Sequence, residues 1–190
     1  NEAFLLKSEQ IPGEVFEGGE KIKVYVVEVT ASERGPKVMI SRTHPGLVKR
    51  LFEMEVPEIY EDTVEIKAVS REAGSRTKLA VWSKDSDVDA VGACIGTRGA
   101  RVAKIVDELG GEKIDVVQYS EDPAEFIAAA LSPAKVVSVE VDPDGNKACK
   151  VKVPDEQLSL AIGNKGQNAR LAARLTGWKI DIKSEYQFRE

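Results

Sequence analysis

The sequence predicts an α+β fold, a short all-β segment followed by two copies of one mixed helix–strand unit. Three observations carry that prediction. "CIGTRGARVAKIVDELGGEKIDV" (94–116) and "AIGNKGQNARLAARLTGWKIDI" (161–182) share one plan: Ile-Gly-x-x-Gly, an amphipathic helix, a glycine stop, then Lys-Ile-Asp. The copies are offset by 67 residues at the first glycine and 66 at the strand isoleucine, so the chain contains an internal repeat. Ahead of them "AFLL", "KIKVYVVEV" and "KVMIS" read as three strands, with Pro12-Gly13 and Gly18-Gly19 between the first two.

Each repeated unit can be justified element by element. "PGLVKRLFEM" (45–54) and "PAEFIAAALS" (123–132) read as helices whose proline suits the first turn. "TVEIKAV" (63–69) and "TKLAVW" (77–82) form a strand pair across "REAGSR". "KVVSVEV" (135–141) and "KACKVKV" (147–153) form its counterpart across the turn signal "DPDGN". After the first glycine motif Val102, Ile105, Val106 and Leu109 fall at helical spacing and Gly110-Gly111 stops the helix; in the second copy Leu171, Ala172 and Leu175 do so and Gly177 stops it. Ile114 and Val116, and again Ile180 and Ile182, then alternate as a strand.

Composition excludes several classes. With 42% apolar and 31% charged residues in 190, the chain reads as globular rather than disordered. Its longest apolar run, Phe126 to Leu131, is too short to cross a bilayer, and residues 1–10 carry no signal-peptide pattern. Cys94 and Cys149 lack CxxC spacing and nearby histidines, and read as buried reduced thiols of a cytoplasmic protein. An enzyme finds little support. The single histidine, His44, precedes Pro45 at a helix start and reads as a surface or capping residue. "DSDVD" (85–89) lacks the glycine and glutamate of a calcium loop, having Ala90 and Gly96 there, and no P-loop motif occurs. No catalytic residue, metal ligand or cofactor is assigned, although a magnesium-dependent nuclease using these aspartates stays formally open.

The net charge of −5 is unevenly spread. Residues 90–106 hold Arg98, Arg101 and Lys104 and no acid; residues 157–180 hold Lys165, Arg170, Arg174 and Lys179 and no acid; residues 34–52 form a third such window. Two of the three enclose the glycine motifs. Glycines flanking a two-residue turn permit backbone angles closed to other residues and remove side chains that would hold a phosphate away. The helix that follows aims free N–H groups and its positive end at the same place, so an anion is the natural occupant. Thr97, Arg98, Asn164 and Lys165 occupy the variable turn positions, and Arg101 and Arg170 lie within a helical turn. The candidate binding set around this anion is therefore Ile95, Gly96, Thr97, Arg98, Gly99, Arg101 and Lys104 in the first copy. In the second it is Ile162, Gly163, Asn164, Lys165, Gly166, Gln167, Asn168 and Arg170. Ile95, Ile114, Val116, Ile162, Ile180 and Ile182 are candidates for the floor of a groove beside these turns. Trp82 and Trp178 fall in apolar-patterned strands and are expected in the core.

This element order with these glycines resembles type II KH domains, and the leading strands resemble the last three of an S1-type OB barrel. The expected division is 1–44 as a partial S1-like OB domain, 45–122 as the first KH domain and 123–190 as the second, with barrel strands expected upstream of Asn1. "SRTHPGLVKRLFEMEVPEI", "VGACIGTRGARV", "LGGEKIDVV" and "LAIGNKGQNARLAARLTGW" resemble the NusA family of bacterial transcription elongation and termination factors. That resemblance implies a cytoplasmic monomer that binds single-stranded RNA, with the candidate set around both glycine turns as its RNA-binding residues and the adjoining groove reading bases. RNA polymerase and antitermination factors are its implied partners, through the full-length protein. The alternative within the binding class is the RNA-binding portion of an RNA-degradation or ribosome-assembly factor; such exoribonucleases place one KH copy before the barrel.

Overall fold

A computed structural model describes residues 2–188; Asn1, Arg189 and Glu190, at the outer limits of the expected spans, lie outside the described residues. The leading segment contains two antiparallel strands, β1 (Tyr25–Ser32) and β2 (Gly35–Ser41). The expected first strand, Ala3–Leu6, is reduced to one bridge from Phe4 to Met39. Its backbone is engaged locally: the Leu6 carbonyl accepts from Glu9 N–H in a 3₁₀ turn, and Gln10 Nε2 donates to the Leu5 carbonyl. The second strand likewise begins at Tyr25 rather than Lys21. Lys23 N–H donates to Glu108 and its carbonyl accepts from Arg42, so neither group joins the ladder.

Arg42, in the third basic window, is 1% exposed. Its guanidinium forks onto Glu14 at 2.7 and 2.8 Å and donates to the carbonyls of Lys23 and Glu108 at 2.6 and 2.9 Å. That basic residue is therefore a structural clasp between the leading segment and the first unit.

The first unit follows its predicted order. α1 (Pro45–Glu55) is capped by His44, whose Nδ1 accepts from Gly46 N–H, and buries Leu47, Val48, Leu51 and Phe52. A single turn, α2 (Pro57–Tyr60), follows. β3 (Val64–Glu72), β4 (Arg76–Ser83) and β5 (Lys113–Gln118) form a sheet with β4 central, antiparallel to β3 and parallel to β5. α3 (Ala90–Ile95) and α4 (Ala100–Glu108) lie between β4 and β5. The second unit repeats this with α5 (Pro123–Ala130), β6 (Ser138–Val141), β7 (Ala148–Val153), α6 (Leu158–Ile162), α7 (Gln167–Thr176) and β8 (Lys179–Ser184). β6 starts three residues later than expected, and Lys135 N–H donates to the Gln157 side chain rather than to β7.

Two cores result. Leu79 and Val81 of β4 face the first, with Phe52, Leu109 and Cys94; burial pushes the Cys94 thiol up to about 12, so it stays protonated at neutral pH. Ala80 of β4 and Val117 of β5 belong to the second, packed with Ile127, Leu131, Val151 and Ala172 of the second unit. The first sheet is thus covered on both faces, the second face by α5 and α7. Lys78, on that face and fully buried, donates to Asp115 at 2.9 Å and to the Ser132 carbonyl at 2.7 Å. Trp82 departs from expectation. It lies on the same face at the strand's end, 38% exposed, with the Lys67 ammonium 5.1 Å from its ring.

A further buried ion pair ties the residue just before β5 to β3. Arg71 and Glu112 meet at 3.0 Å with both side chains fully buried, and the carboxylate also accepts from Thr77 Oγ1 and Gly74 N–H at 2.6 and 2.7 Å. Glu112→Ala would leave a buried guanidinium without its counter-charge. The expected loss is about 3–5 kcal/mol of unfolding free energy, measured by urea denaturation against the parent.

Candidate nucleic-acid interface

Both glycine motifs fold as helix, tight turn, helix. α3 ends at Ile95, and Gly96-Thr97-Arg98-Gly99 delivers the chain into α4; α6 ends at Ile162, and Gly163-Asn164-Lys165-Gly166 delivers it into α7. The torsions repeat closely. The first glycines have φ of 78° and 83°, Arg98 and Lys165 have 56° and 54°, and both last glycines have 74°.

The two glycines serve different purposes. A Cβ on Gly96 would meet Arg101 at 2.7–3.0 Å, and one on Gly163 would meet Asn168 N at 2.6 Å. The first glycine therefore lets the second helix close onto the first. A Cβ on Gly99 would meet nothing within 4 Å, and one on Gly166 only the tip of Arg170 at 3.9 Å. The last glycine leaves the outside of the turn bare, where an approaching anion can reach the first-turn amides.

Thr97, Arg98, Asn164 and Lys165 are exposed on these turns. Among the described residues no carboxylate lies within ion-pair distance of Arg98 or Lys165. Ile95 and Ile162 sit at the helix ends just before the turns, and α3 and α6 pack on the edge strands β5 and β8. Ile114, Val116, Ile180 and Ile182 are half-buried against the two cores.

Other members of the expected set are engaged elsewhere. Arg101 donates to Glu58 and to the Ala93 carbonyl at 2.8 and 2.7 Å, bracing α4 against α3. Lys104 lies further along α4, exposed and paired with Glu55 at 3.2 Å. Asn168 is buried; its Nδ2 donates to the carbonyls of Leu131 and Ala161, which latches the turn to α5. Gln167 and Arg170 reach across to the first unit. Gln167 Nε2 donates to Ser75 Oγ at 2.7 Å, and Arg170 donates twice to Glu72 at 2.8 Å and once to the Lys165 carbonyl at 3.0 Å. The Arg170 hydrogen bond holds the Glu72 carboxyl below its ordinary pKa. Glu72, Ser75 and Glu58 were invisible as site neighbours in the sequence, since their partners lie 43 to 98 residues away. Among the described residues no group of three His, Cys, Asp or Glu is placed to hold a metal.

Sequence profiles match this geometry. Residues 42–119 match a NusA-like first KH domain and residues 123–190 a NusA-like second KH domain. The chain belongs to the NusA family. It is 60% identical over 189 residues to a protein of Halalkalibacterium halodurans, all of this chain and 49% of that protein, and 60% identical to one of Bacillus subtilis, all of this chain and 51% of that one. It is 52% identical over 182 residues to one of Thermus thermophilus, 96% of this chain and 47% of that protein. All three are named transcription termination/antitermination protein NusA. The chain thus spans about half the length of these NusA relatives. A solved structure, APE1850, is similar with a TM-score of 0.50 and 25% identity, covering 72% of this chain and 95% of that one.

The two glycine roles separate experimentally in this NusA-family turn. Gly166→Ala should cost only left-handed backbone strain, about 1–2 kcal/mol, whereas Gly163→Ala also drives a Cβ into backbone and should cost more. Urea midpoints of the two variants check the order.

Proposed function

We propose that this chain is the single-stranded RNA-binding region of a bacterial transcription termination and antitermination factor, working in the cytoplasm beside RNA polymerase and antitermination factors, as a monomer and without catalytic activity of its own. Its parts are a partial S1-like OB segment (1–44), a first KH domain (45–122) and a second (123–190). The names of its relatives support the transcriptional role. No helix among the described residues is long and apolar enough to cross a membrane.

One observation carries the RNA reading: the same left-handed turn is built twice, each time with an exposed, unpaired cation and a bare glycine at its outer face. Phosphate contact is assigned to Thr97, Arg98, Asn164 and Lys165 and the amides around Gly99 and Gly166. Arg fits phosphate through a planar fork and Lys through a point charge. Arg101, Asn168 and Arg170 hold the turns in shape, Lys104 adds positive potential on α4, and Ile95 and Ile162 border the grooves in which splayed bases lie. The exposed tips of an otherwise acidic chain suit a single strand, which offers phosphates and unstacked bases together.

Replacing Thr97 and Arg98 by Asp, and separately Asn164 and Lys165 by Asp, keeps every glycine. Each variant should bind RNA much more weakly, with the log–log salt slope flattening by about 0.7 for each phosphate no longer neutralised, while melting within about 0.5 kcal/mol of the parent. Titration over a salt series and thermal melting check both parts; unchanged affinity and slope in both variants would overturn the reading. Because α5 and α7 fix one unit on the other, an RNA of about eight nucleotides should bind much tighter than a four-nucleotide piece, measured in the same titration.

A further inference from the structure

At the seam between the two units lies a cavity of about 320 Å³. The first unit contributes Arg76, where β4 begins, and Lys113, where β5 begins; the second contributes Leu160 of α6 and the Gly163-Asn164 half of its turn, with Pro133 alongside. We propose that this cavity receives one nucleotide of a bound RNA strand, the one linking the segment held by the first KH unit to that held by the second, and that it grips the base. The proposal rests on the RNA-binding reading above and adds to it a site formed by both units together.

Position argues first. β5 is the edge strand against which α3 packs, so the groove of the first unit runs along β5, and Lys113 stands at one end of that strand. Gly163 and Asn164 begin the second phosphate turn. The cavity is bordered by both, so a strand leaving one groove for the other turn passes over it. Gln167, bonded to Ser75 across the seam, holds the two borders together.

The chemistry of the walls fits a nucleotide. Leu160, 44% exposed, and the exposed Pro133 ring offer apolar surface to a base. Arg76 is fixed by Asp115 through hydrogen bonds of 2.8 and 3.2 Å and forms a rigid wall. Lys113 has no ion-pair partner among the described residues and can follow a phosphate. Asn168 also lines the cavity, its amide held by the carbonyls of Leu131 and Ala161. The volume suits one nucleotide and is too small for a helix or a duplex end.

The test is an abasic scan. An RNA long enough to cross both units is prepared with each nucleotide in turn made abasic, and each is titrated against the 190-residue parent, Leu160→Ala and Lys113→Ala. Both substituted side chains are at the surface, and melting confirms that the variants fold. At one interior position the parent should lose about tenfold in affinity, and in Leu160→Ala the loss at that position should shrink by threefold or more. Lys113→Ala should weaken binding of all these RNAs alike, as removal of a phosphate-binding cation does. If at every position the abasic penalty in Leu160→Ala stays within threefold of the parent's, the cavity does not hold a base. The Asp variants of the two turns then tell the failures apart: if they still lose affinity, only the cavity assignment falls, and if they bind as the parent does, the RNA reading falls with it.

Discussion

The rest of the structure depends on the double burial of the first sheet. Leu79 and Val81 point into one core while Ala80 and Val117 point into the other, so the strand at the centre of the first unit is also the floor on which the second unit rests. Lys78 lies on that floor. Removing an ammonium from water is costly, and burial lowers its pKa against the pull of Asp115. The charge is tolerated because Asp115 and the Ser132 carbonyl take its hydrogen bonds. The Ser132 carbonyl belongs to the second unit, so the same contact that satisfies the lysine also sets where that unit sits. The spacing of the two glycine turns and the existence of the seam cavity follow from it.

The repeat makes this visible by contrast. In register, Lys150 and Asp181 of the second sheet stand where Lys78 and Asp115 stand in the first, and Lys152 and Lys183 stand where Ala80 and Val117 stand. Small apolar side chains accept a packed helix and lysines do not. One unit therefore has a buried second face and the other a solvated one, although both are built on the same plan. The turn residues diverge in the same way. Arg101 and Asn168 are equivalent, each closing its helix pair over a glycine, but the arginine reaches Glu58 while the shorter asparagine turns inward to two carbonyls.

Charge follows a related logic. The acid-free windows promised more free cations than the structure provides: Arg42, Arg101 and Arg170 are held by Glu14, Glu58 and Glu72 from elsewhere in the chain. Arg98 and Lys165, at the turn tips, are among the cations that keep no ion-pair partner among the described residues. An acidic protein can bind a polyanion when its few free cations coincide with bare backbone.

Much was settled locally and could be read without a structure. The order of elements in each unit, the helix stops at Gly110-Gly111 and Gly177, the His44 cap and the left-handed turns rest on interactions within a few residues, which is why periodicity and glycine placement revealed them. The leading strands were legible only in part, because Leu5, Leu6 and Lys23 direct their backbone groups to a local turn and to Arg42 and Glu108 instead of a ladder. Which basic residues stay free, that Asn168 is buried, that Trp82 is left at the surface, and that Arg76 and Lys113 meet Leu160 and Asn164 were decided by tertiary structure alone. Each depends on partners dozens of residues apart brought together by the docking of one unit on the other, and no spacing along a single chain encodes which face of a sheet a second domain will cover.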